Sequence, residues 1–589
     1  MNTRTTPSIV RRSVRAACVL APVAAAVACG SSDGTVEPTS ATGSSTSDTS
    51  STAATGTGGT GGSGGAGTGG ATSATSGPGI CTPNEVVGCY DGPAGTENVG
   101  SCKGGMKTCN ADGTAFGDCV GQVVPAEDVC GNMADEDCDG TVDACNGNYL
   151  WAKRYGDIDF QKATAVALDA SDNIFVTGKF RGKLDLGKGE LSGAGLMSDD
   201  VFVAKLDASG NTVWSAAFGD DKDQVANGIA ADLEGNTIVT GEFKGGINFG
   251  AGTLNSTTIK TTDIFLAKFD STGKLSWAKS FGASGADAGR AVTTDANGNI
   301  IVTGSFTGSV NFGNGPTTAG GGNDLFVAKY DPSGILLWVG AYGNSLSQIG
   351  HAIAVDANGN VGVTGGFAGS MNFPLLTPPS ITALGTDIFV ALFDANGVPL
   401  WARKYGDDTL VQEGRGIAFA PKGEFYLVAD GAGATKFDTN GQLVAAGGKL
   451  DAMVAKFSAW DGVVPPSAQW SQRFGDSLHQ YANGVSVDGD GNVVIVGAVE
   501  GTTNFGGGML MSAGKTDAYA AKFNSLGNHV WSKLFGNVLD QTVTAVAATT
   551  SGTVLVGAFQ GLIDFGGGEL SNADPMKTFD DMFIAKLSP

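Results

Sequence analysis

Residues 277–337 read Trp277-Ala-Lys-Ser-Phe-Gly282, then Gly289-Arg-Ala-Val-Thr-Thr-Asp295-Ala-Asn-Gly-Asn299-Ile-Ile-Val-Thr-Gly304, then Val310-Asn-Phe-Gly313 and Asp324-Leu-Phe-Val-Ala-Lys329. The same phrases return around Trp151, Trp214, Trp277, Trp338, Trp401, Trp470 and Trp531, at steps of 63, 63, 61, 63, 69 and 61 residues. A period of this size marks a repeat architecture. Each copy carries short runs of β-branched and aromatic residues and no long amphipathic run, which is the pattern of strands. In the copy quoted the runs are 289–294, 300–306, 324–330 and 335–342. Asp295-Ala-Asn-Gly-Asn299 and Asp331-Pro-Ser-Gly334 separate the outer pairs, and Asp, Asn and Gly suit hairpin turns because they accept positive φ or bond their own backbone. The connection between the second and third runs is longer and differs in every copy.

Four antiparallel strands repeated seven times make either a stacked solenoid or a closed ring of blades. The last copy reaches Asp581-Met-Phe-Ile-Ala-Lys586 without a fourth, tryptophan-bearing strand, and that strand stands at the other end of the repeats as Tyr149-Leu-Trp-Ala-Lys-Arg-Tyr155. Pairing the two closes the ring and removes the free sheet edges. The expectation is an all-β chain: a seven-bladed β-propeller over 148–589, preceded by a small disulfide-rich module over 80–147 and a disordered tether over 29–79. The phrases Asp-x-Phe-x-Ala-Lys, Gly-Asn-x-x-Val-Thr-Gly and Trp-x-x-x-Phe-Gly resemble the bacterial seven-bladed propeller repeat called SBBP. That resemblance implies the fold and says little about activity, because propellers host many functions.

The formal charge of −23 excludes nucleic acid as an expected partner, since its recognition needs basic patches. Residues 1–28 hold Arg4, Arg11, Arg12 and Arg15 and then an apolar run of 13 from Ala16 to Ala28, too short to span a bilayer and suited to a secretory leader. The run ends Ala26-Val-Ala-Cys29-Gly-Ser-Ser, which resembles the lipobox of bacterial lipoproteins. The resemblance implies lipidation of Cys29, and Gly30 after it implies sorting to the outer membrane or cell surface, with the lipid as the only membrane contact. Residues 30–79 are almost wholly Ser, Thr, Gly and Ala, a flexible tether averaging roughly 40 Å end to end. Gly61-Gly-Ser63-Gly-Gly65 matches a nucleophile-elbow pattern only by chance, in low-complexity sequence.

Eight cysteines follow, Cys81, Cys89, Cys102, Cys109, Cys119, Cys130, Cys138 and Cys145. An even set in an exported segment predicts four disulfides, and no Cys-x-x-Cys pair favours the zinc alternative. Within them Asp135, Asp137, Asp139, Thr141 and Asp143 fall at positions 1, 3, 5, 7 and 9 of a calcium loop, with Gly140 at the sharp turn. Carboxylates crowded on a turn repel one another unless a hard cation sits among them. Position 12 is Asn146 rather than a bidentate Glu, so weak calcium binding is expected, roughly 10⁻⁴ to 10⁻³ M. The stretch also resembles the metal-binding motif of the MopE type, whose copper label makes copper the alternative; carboxylate ligands with oxidised thiols favour calcium. An acidic disulfide-bonded turn without metal is the plain alternative to both.

On the propeller, Gln161, Gln224, Asp287, Gln348, Gln412, Gln480 and Gln541 occupy equivalent places ahead of each first strand. They either cap backbone groups of the neighbouring blade or form a polar ring at the channel mouth that holds a ligand. Asp200, Asp263, Asp324, Asp387, Asp451, Asp517 and Asp581 also recur once per blade, and recurrence in all seven argues for a structural task. His351, His479 and His529 are scattered and read as core or surface histidines, and Gly508–Gly514-Lys515-Thr516 misses phosphate-loop spacing by one residue. No catalytic constellation emerges. The expected function is non-catalytic adhesion or recognition of a protein or glycan by a surface-anchored monomer; the alternatives are an extracytoplasmic lyase or hydrolase, and a metal-scavenging surface protein.

Overall fold

The computed structural model describes residues 17–18, 27–28, 80–126, 135, 136, 138, 140, 146–195, 197–407, 409–437, 442–444, 449–574, 576 and 578–589. Among these there is no helix. Two units are distinguished, residues 37–128 with 132–143, and residues 1–36, 129–131 and 144–589.

In the second unit, among the described residues, the strands form seven blade sheets, each with four antiparallel strands; two of them carry a fifth, two-residue strand, and small two-stranded sheets lie beside them. The copy opened by Trp277 shows how closely local grammar sets the elements: its blade comprises Ala288–Thr294, Ile300–Phe306, Asp324–Tyr330 and Leu336–Tyr342. At the first turn Asp295 Oδ1 accepts from the N–H groups of Asn297 and Asn299 at 2.9 and 3.0 Å, while Gly298 takes φ +73°. At the last turn Asp331 does the same for Ser333 and Ile335 at 2.9 and 2.8 Å, with Gly334 at φ +83°. The aspartates replace backbone partners that a tight turn cannot supply.

Blades are numbered here from the sheet whose first, innermost strand is Gln161–Leu168; blade 3 is the one just described. The seventh sheet is built from Gln541–Thr549, Gly552–Phe559, Asp581–Leu587 and the amino-terminal Tyr149–Tyr155. Met582 pairs with Tyr155, Lys586 with Trp151 and Leu587 with Tyr149. The expected closure is therefore present, and Ser588 N–H donates to Asn148 O at 2.7 Å beside it.

Blades are joined by their aromatic residues. Trp277 donates to Pro332 O of the next blade at 3.1 Å, Trp470 to Ser525 O at 3.2 Å, and Trp531 to Pro589 O at 3.0 Å. A turn glycine of the following blade lies flat against the indole: a β-carbon on Gly273 would sit 2.6 Å from Trp214. The phenylalanine of each Asn-Phe-Gly phrase closes the blade edge, as Phe312 does against Phe281 at 5.7 Å and Phe505 against Phe474 at 4.8 Å. Blade 5 lacks that phrase yet keeps the aromatic, Phe437, buried and 5.0 Å from Tyr405.

The variable connection of each blade holds a small hairpin that strand grammar did not predict. In blade 3 it is Ser309–Asn311 with Pro316–Thr318. In blades 4 and 6 it merges into long strands, Val361–Asn372 with Ser380–Phe393 and Val493–Asn504 with Met509–Phe523. The free edges of two innermost strands carry two-residue strands: Ala17–Cys18 runs beside Ala352 and Ile353, and Val27–Ala28 beside Val166 and Ala167.

The first unit is described by itself. Val86–Cys89 pairs with Gly105–Thr108. Disulfides Cys81–Cys109, Cys89–Cys119 and Cys102–Cys138 cross-link it, so three of the four expected bridges are present. Cys130 and Cys145 lie outside the described residues.

Candidate functional site

Three groups of residues were candidates from the sequence, and the propeller adds a fourth. In the acidic loop only Asp135 of the five expected ligands is described; Asp137, Asp139, Thr141 and Asp143 lie outside the described residues, as does Cys29. Asp135 Oδ2 accepts the Gly140 N–H at 3.1 Å, and Gly140 has φ +93°. Its Oδ1 is buried with no hydrogen-bond partner. In the numbering of the expected calcium loop these are the position-1 carboxylate and the position-6 glycine. Among the described residues no three carboxylate, imidazole or thiol groups gather as a metal site.

The six equivalent glutamines and the one aspartate are fully buried. Gln224 donates to Asp220 Oδ1 at 2.6 Å and to Lys244 O at 3.0 Å; Gln348 donates to Asn344 Oδ1 at 2.8 Å and Ala368 O at 2.6 Å. Gln480 and Gln541 repeat the arrangement with Asp476 and Glu500, and with Asn537 and Gln560. Gln161 bonds Asp157 and Arg181 O, and Gln412 bonds Asp407 and Ala432 O. Asp287 accepts instead, from Ala283 N–H and Thr307 N–H, each at 2.7 Å. Each side chain thus ties the loop arriving from the preceding blade to the end of its own blade's second strand. The amide donors are committed to these side-chain and backbone acceptors.

The recurring aspartates meet those glutamines. A β-carbon on Gly219 would lie 1.7 Å from Asp200 Oδ1 and 2.6 Å from Gln224 Oε1, and one on Gly536 would lie 2.6 Å from Asp517 Oδ1 and 2.5 Å from Gln541 Oε1. This crowding explains why each outer strand ends in Phe-Gly or Tyr-Gly. In blades 7, 4 and 5 the carboxylate is paired with a cation of the outer strand: Arg154 with Asp581 at 2.8 Å, Lys404 with Asp387 at 2.7 Å, Arg473 with Asp451 at 2.9 Å. In blades 1, 2, 3 and 6 the same outer-strand place, opposite the aromatic two residues after the aspartate, holds Ala217, Ser280, Ala341 and Leu534. There burial pushes the carboxyls up, to about 6 for Asp200 and Asp517, and upward for Asp263 and Asp324.

The fourth group lies on the innermost strands. Each has a β-bulge whose extra residue stands three positions after the capping residue and is polar in all seven: Thr164, Asn227, Arg290, His351, Arg415, Asn483 and Thr544. Bulges re-aim a side chain. Four of these reach the carbonyl just ahead of the next blade's bulge: Thr164 to Ala226 O at 2.6 Å, Asn227 to Gly289 O at 2.9 Å, Asn483 to Val543 O at 2.7 Å, Thr544 to Ala163 O at 3.1 Å. They form a belt linking inner strand to inner strand around the ring.

Blades 3, 4 and 5 break the belt. Arg290 turns to Glu242 at 3.4 Å, and its Nε is buried with no partner. Arg415 pairs with Glu413 at 2.5 Å and with Asp430 at 3.1 Å. Both ring nitrogens of His351 are buried without a partner. Burial, opposed by the field of Glu413 and aided less by Arg415 and Arg290, drops its pKa to about 3, so the imidazole is neutral. Sequence reading passed over His351 as a core or surface histidine and did not see this set. The signal was a small-polar-small triplet after each capping residue, such as Gly289-Arg290-Ala291 and Gly350-His351-Ala352.

No family model matches this chain. The uncharacterized WD repeat-containing protein L264 of Acanthamoeba polyphaga mimivirus is 25% identical over 511 residues, covering 70% of this chain and 36% of that protein. The regulatory protein FlaEY of Caulobacter vibrioides is 30% identical over 183 residues, covering 31% of this chain and 18% of its own length. The chain thus spans about a third and about a fifth of the relatives it matches. Among solved structures, the gluconolactonase XC5397 of Xanthomonas campestris covers 61% of this chain and 91% of its own at 13% identity and TM-score 0.26. The rhamnogalacturonan lyase PL11 of Bacillus licheniformis covers 71% and 76% at 11% identity and TM-score 0.22. The repeat relative and the closed ring agree that this is a propeller-repeat protein.

Proposed function

We propose that the chain is a lipid-anchored surface monomer whose propeller recognises a protein or glycan without catalysis, held off the membrane by the tether and by a calcium-stiffened, disulfide-bonded module. The observation that carries this reading is the broken belt: a rigid sevenfold scaffold departs from its own symmetry at Arg290, His351 and Arg415, on three consecutive inner strands. A structural residue recurs, whereas a recognition surface needs different groups at equivalent places. Recognition is favoured over catalysis because neither ring nitrogen of His351 has a hydrogen-bond partner to orient it for proton transfer. Surface display rests on Ala26-Val-Ala-Cys29 and on the acidic, disulfide-bearing composition.

The test is an array of glycans and surface proteins probed with the detergent-solubilised protein, purified from membranes of an expressing Gram-negative host and with its amino terminus determined, in calcium and in chelator. The expected result is a blocked, diacylated Cys29 terminus and saturable binding to a defined set of spots. A soluble protein that binds nothing on the array would overturn the reading.

A further inference from the structure

The broken belt also limits what can bind, and this step rests on the recognition reading above. Arg290 and Arg415 are each already matched by carboxylates, Glu242 on one side and Glu413 with Asp430 on the other. An incoming carboxylate or phosphate would have to lodge beside those acids, and an ammonium would face the arginines. Neither sign of net charge is welcomed. What is left unmet is hydrogen bonding: a buried Nε–H on Arg290 and, on His351, one N–H and one bare ring nitrogen. These ask for a ligand whose groups both donate and accept within a short span. Vicinal hydroxyls do this, and they add bonds to the ion-paired guanidinium and carboxylate groups without displacing them.

We infer that the face formed by Arg290, His351 and Arg415 takes a neutral polyhydroxylated ligand, a saccharide unit, with the His351 imidazole bridging two hydroxyls. Arg290 and Arg415 keep 16% and 15% of their side chains exposed. Ala17 runs beside Ala352, the residue next to His351, and the expected cleavage after residue 28 would remove that strand.

The other four blades supply the control. Replacing the three residues by asparagine, R290N/H351N/R415N, gives each bulge the residue with which Asn227 already reaches Gly289 O; the new amides have Gly350 O, Gly414 O and Ala482 O ahead of them. Such a variant takes from Glu242, Glu413 and the buried Asp430 their arginine partners and should lower the thermal midpoint, so its binding is compared once circular dichroism shows the ring folded. With the membrane-purified protein, neutral manno-, gluco- and galacto-oligosaccharides are titrated against polygalacturonate oligomers and a peptide library. The expected outcome is binding of a neutral oligosaccharide, weakened about tenfold or more in the variant, the equivalent of one or two hydrogen bonds. In parallel, imidazole nitrogen resonances of the wild type are followed on adding the sugar, and one of the three histidines, removed by H351N alone, should shift. Failure of every neutral sugar to bind, or a folded variant that binds as well as wild type, overturns the inference. Binding of acidic sugars or peptides that the variant loses would overturn it too, while leaving recognition at this face standing. Should the triple variant not fold, the histidine resonance decides alone, and an unshifted His351 sinks the proposal.

Discussion

At the residue scale, three repeated phrases turn out to be one contact. The glycine closing each outer strand, the aspartate opening each third strand and the glutamine ahead of each first strand meet where a β-carbon has no room. Gly219→Ala should therefore cost about 1–3 kcal/mol, the usual penalty for overpacking, read as a lower denaturant midpoint; an unchanged midpoint would mean that the loop opens freely there. The lysine of the third strand has a separate task. Lys522 and Asp488, both almost fully buried, pair at 2.9 Å, and Lys268 with Asp232, Lys329 with Asp295 and Lys456 with Glu424 do likewise. Lys522→Met leaves the Asp488 charge buried alone and should cost about 3–5 kcal/mol, much of it recovered in the K522M/D488N double variant; equal losses in both would show that the pair is not what holds the turn. Turns and these recurring residues were legible in the sequence because their chemistry is local and is repeated. The bulge residues were not, because search by repetition rewards sameness, and Thr, Asn, Arg and His share only their place.

At the element scale, the blades differ in how they balance the buried carboxylate at the start of the third strand. Blades 4, 5 and 7 supply Lys404, Arg473 and Arg154; blades 1, 2, 3 and 6 supply no cation there, and their carboxyls titrate high. The sign follows from the direction of that shift. A carboxyl with a raised pKa in the folded chain favours the protonated form, so its contribution to stability is complete below the unfolded value near 4 and is lost as pH rises through about 6. Asp407 and Asp574, pushed down by hydrogen bonds to loop N–H groups against the opposing effect of burial, act the other way and only below about pH 4. Between pH 5 and 7.5 the thermal midpoint of the wild type should fall. D200N/D517N should raise the midpoint at pH 7.5 and flatten the slope, and a slope identical to wild type would place the titration elsewhere. The small hairpin inside each variable connection was not legible, since its three-residue strands are too short for any periodicity to register.

At the scale of the whole molecule, closure by the strand Tyr149–Tyr155 was legible because the repeats run out one strand short at one end and carry one to spare at the other. Seven sheets and the pairing of Met582 with Tyr155 bear this out. A chain lacking residues 148–156 should expose the edge of Asp581–Leu587 and self-associate through it, visible by light scattering as species larger than the intact protein forms; a stable species of unaltered size would mean that the ring needs no such latch. The latch also has a mechanical meaning. Tyr149 lies opposite Leu587, and the strand then runs antiparallel toward Tyr155 opposite Met582. A pull applied through residue 148 meets the Tyr149–Leu587 pair first and then each later pair in turn, as a peel and not a simultaneous shear. If the proposed anchor holds the chain from its amino-terminal side, drag on the ring in flowing liquid would accordingly fray the seventh blade first.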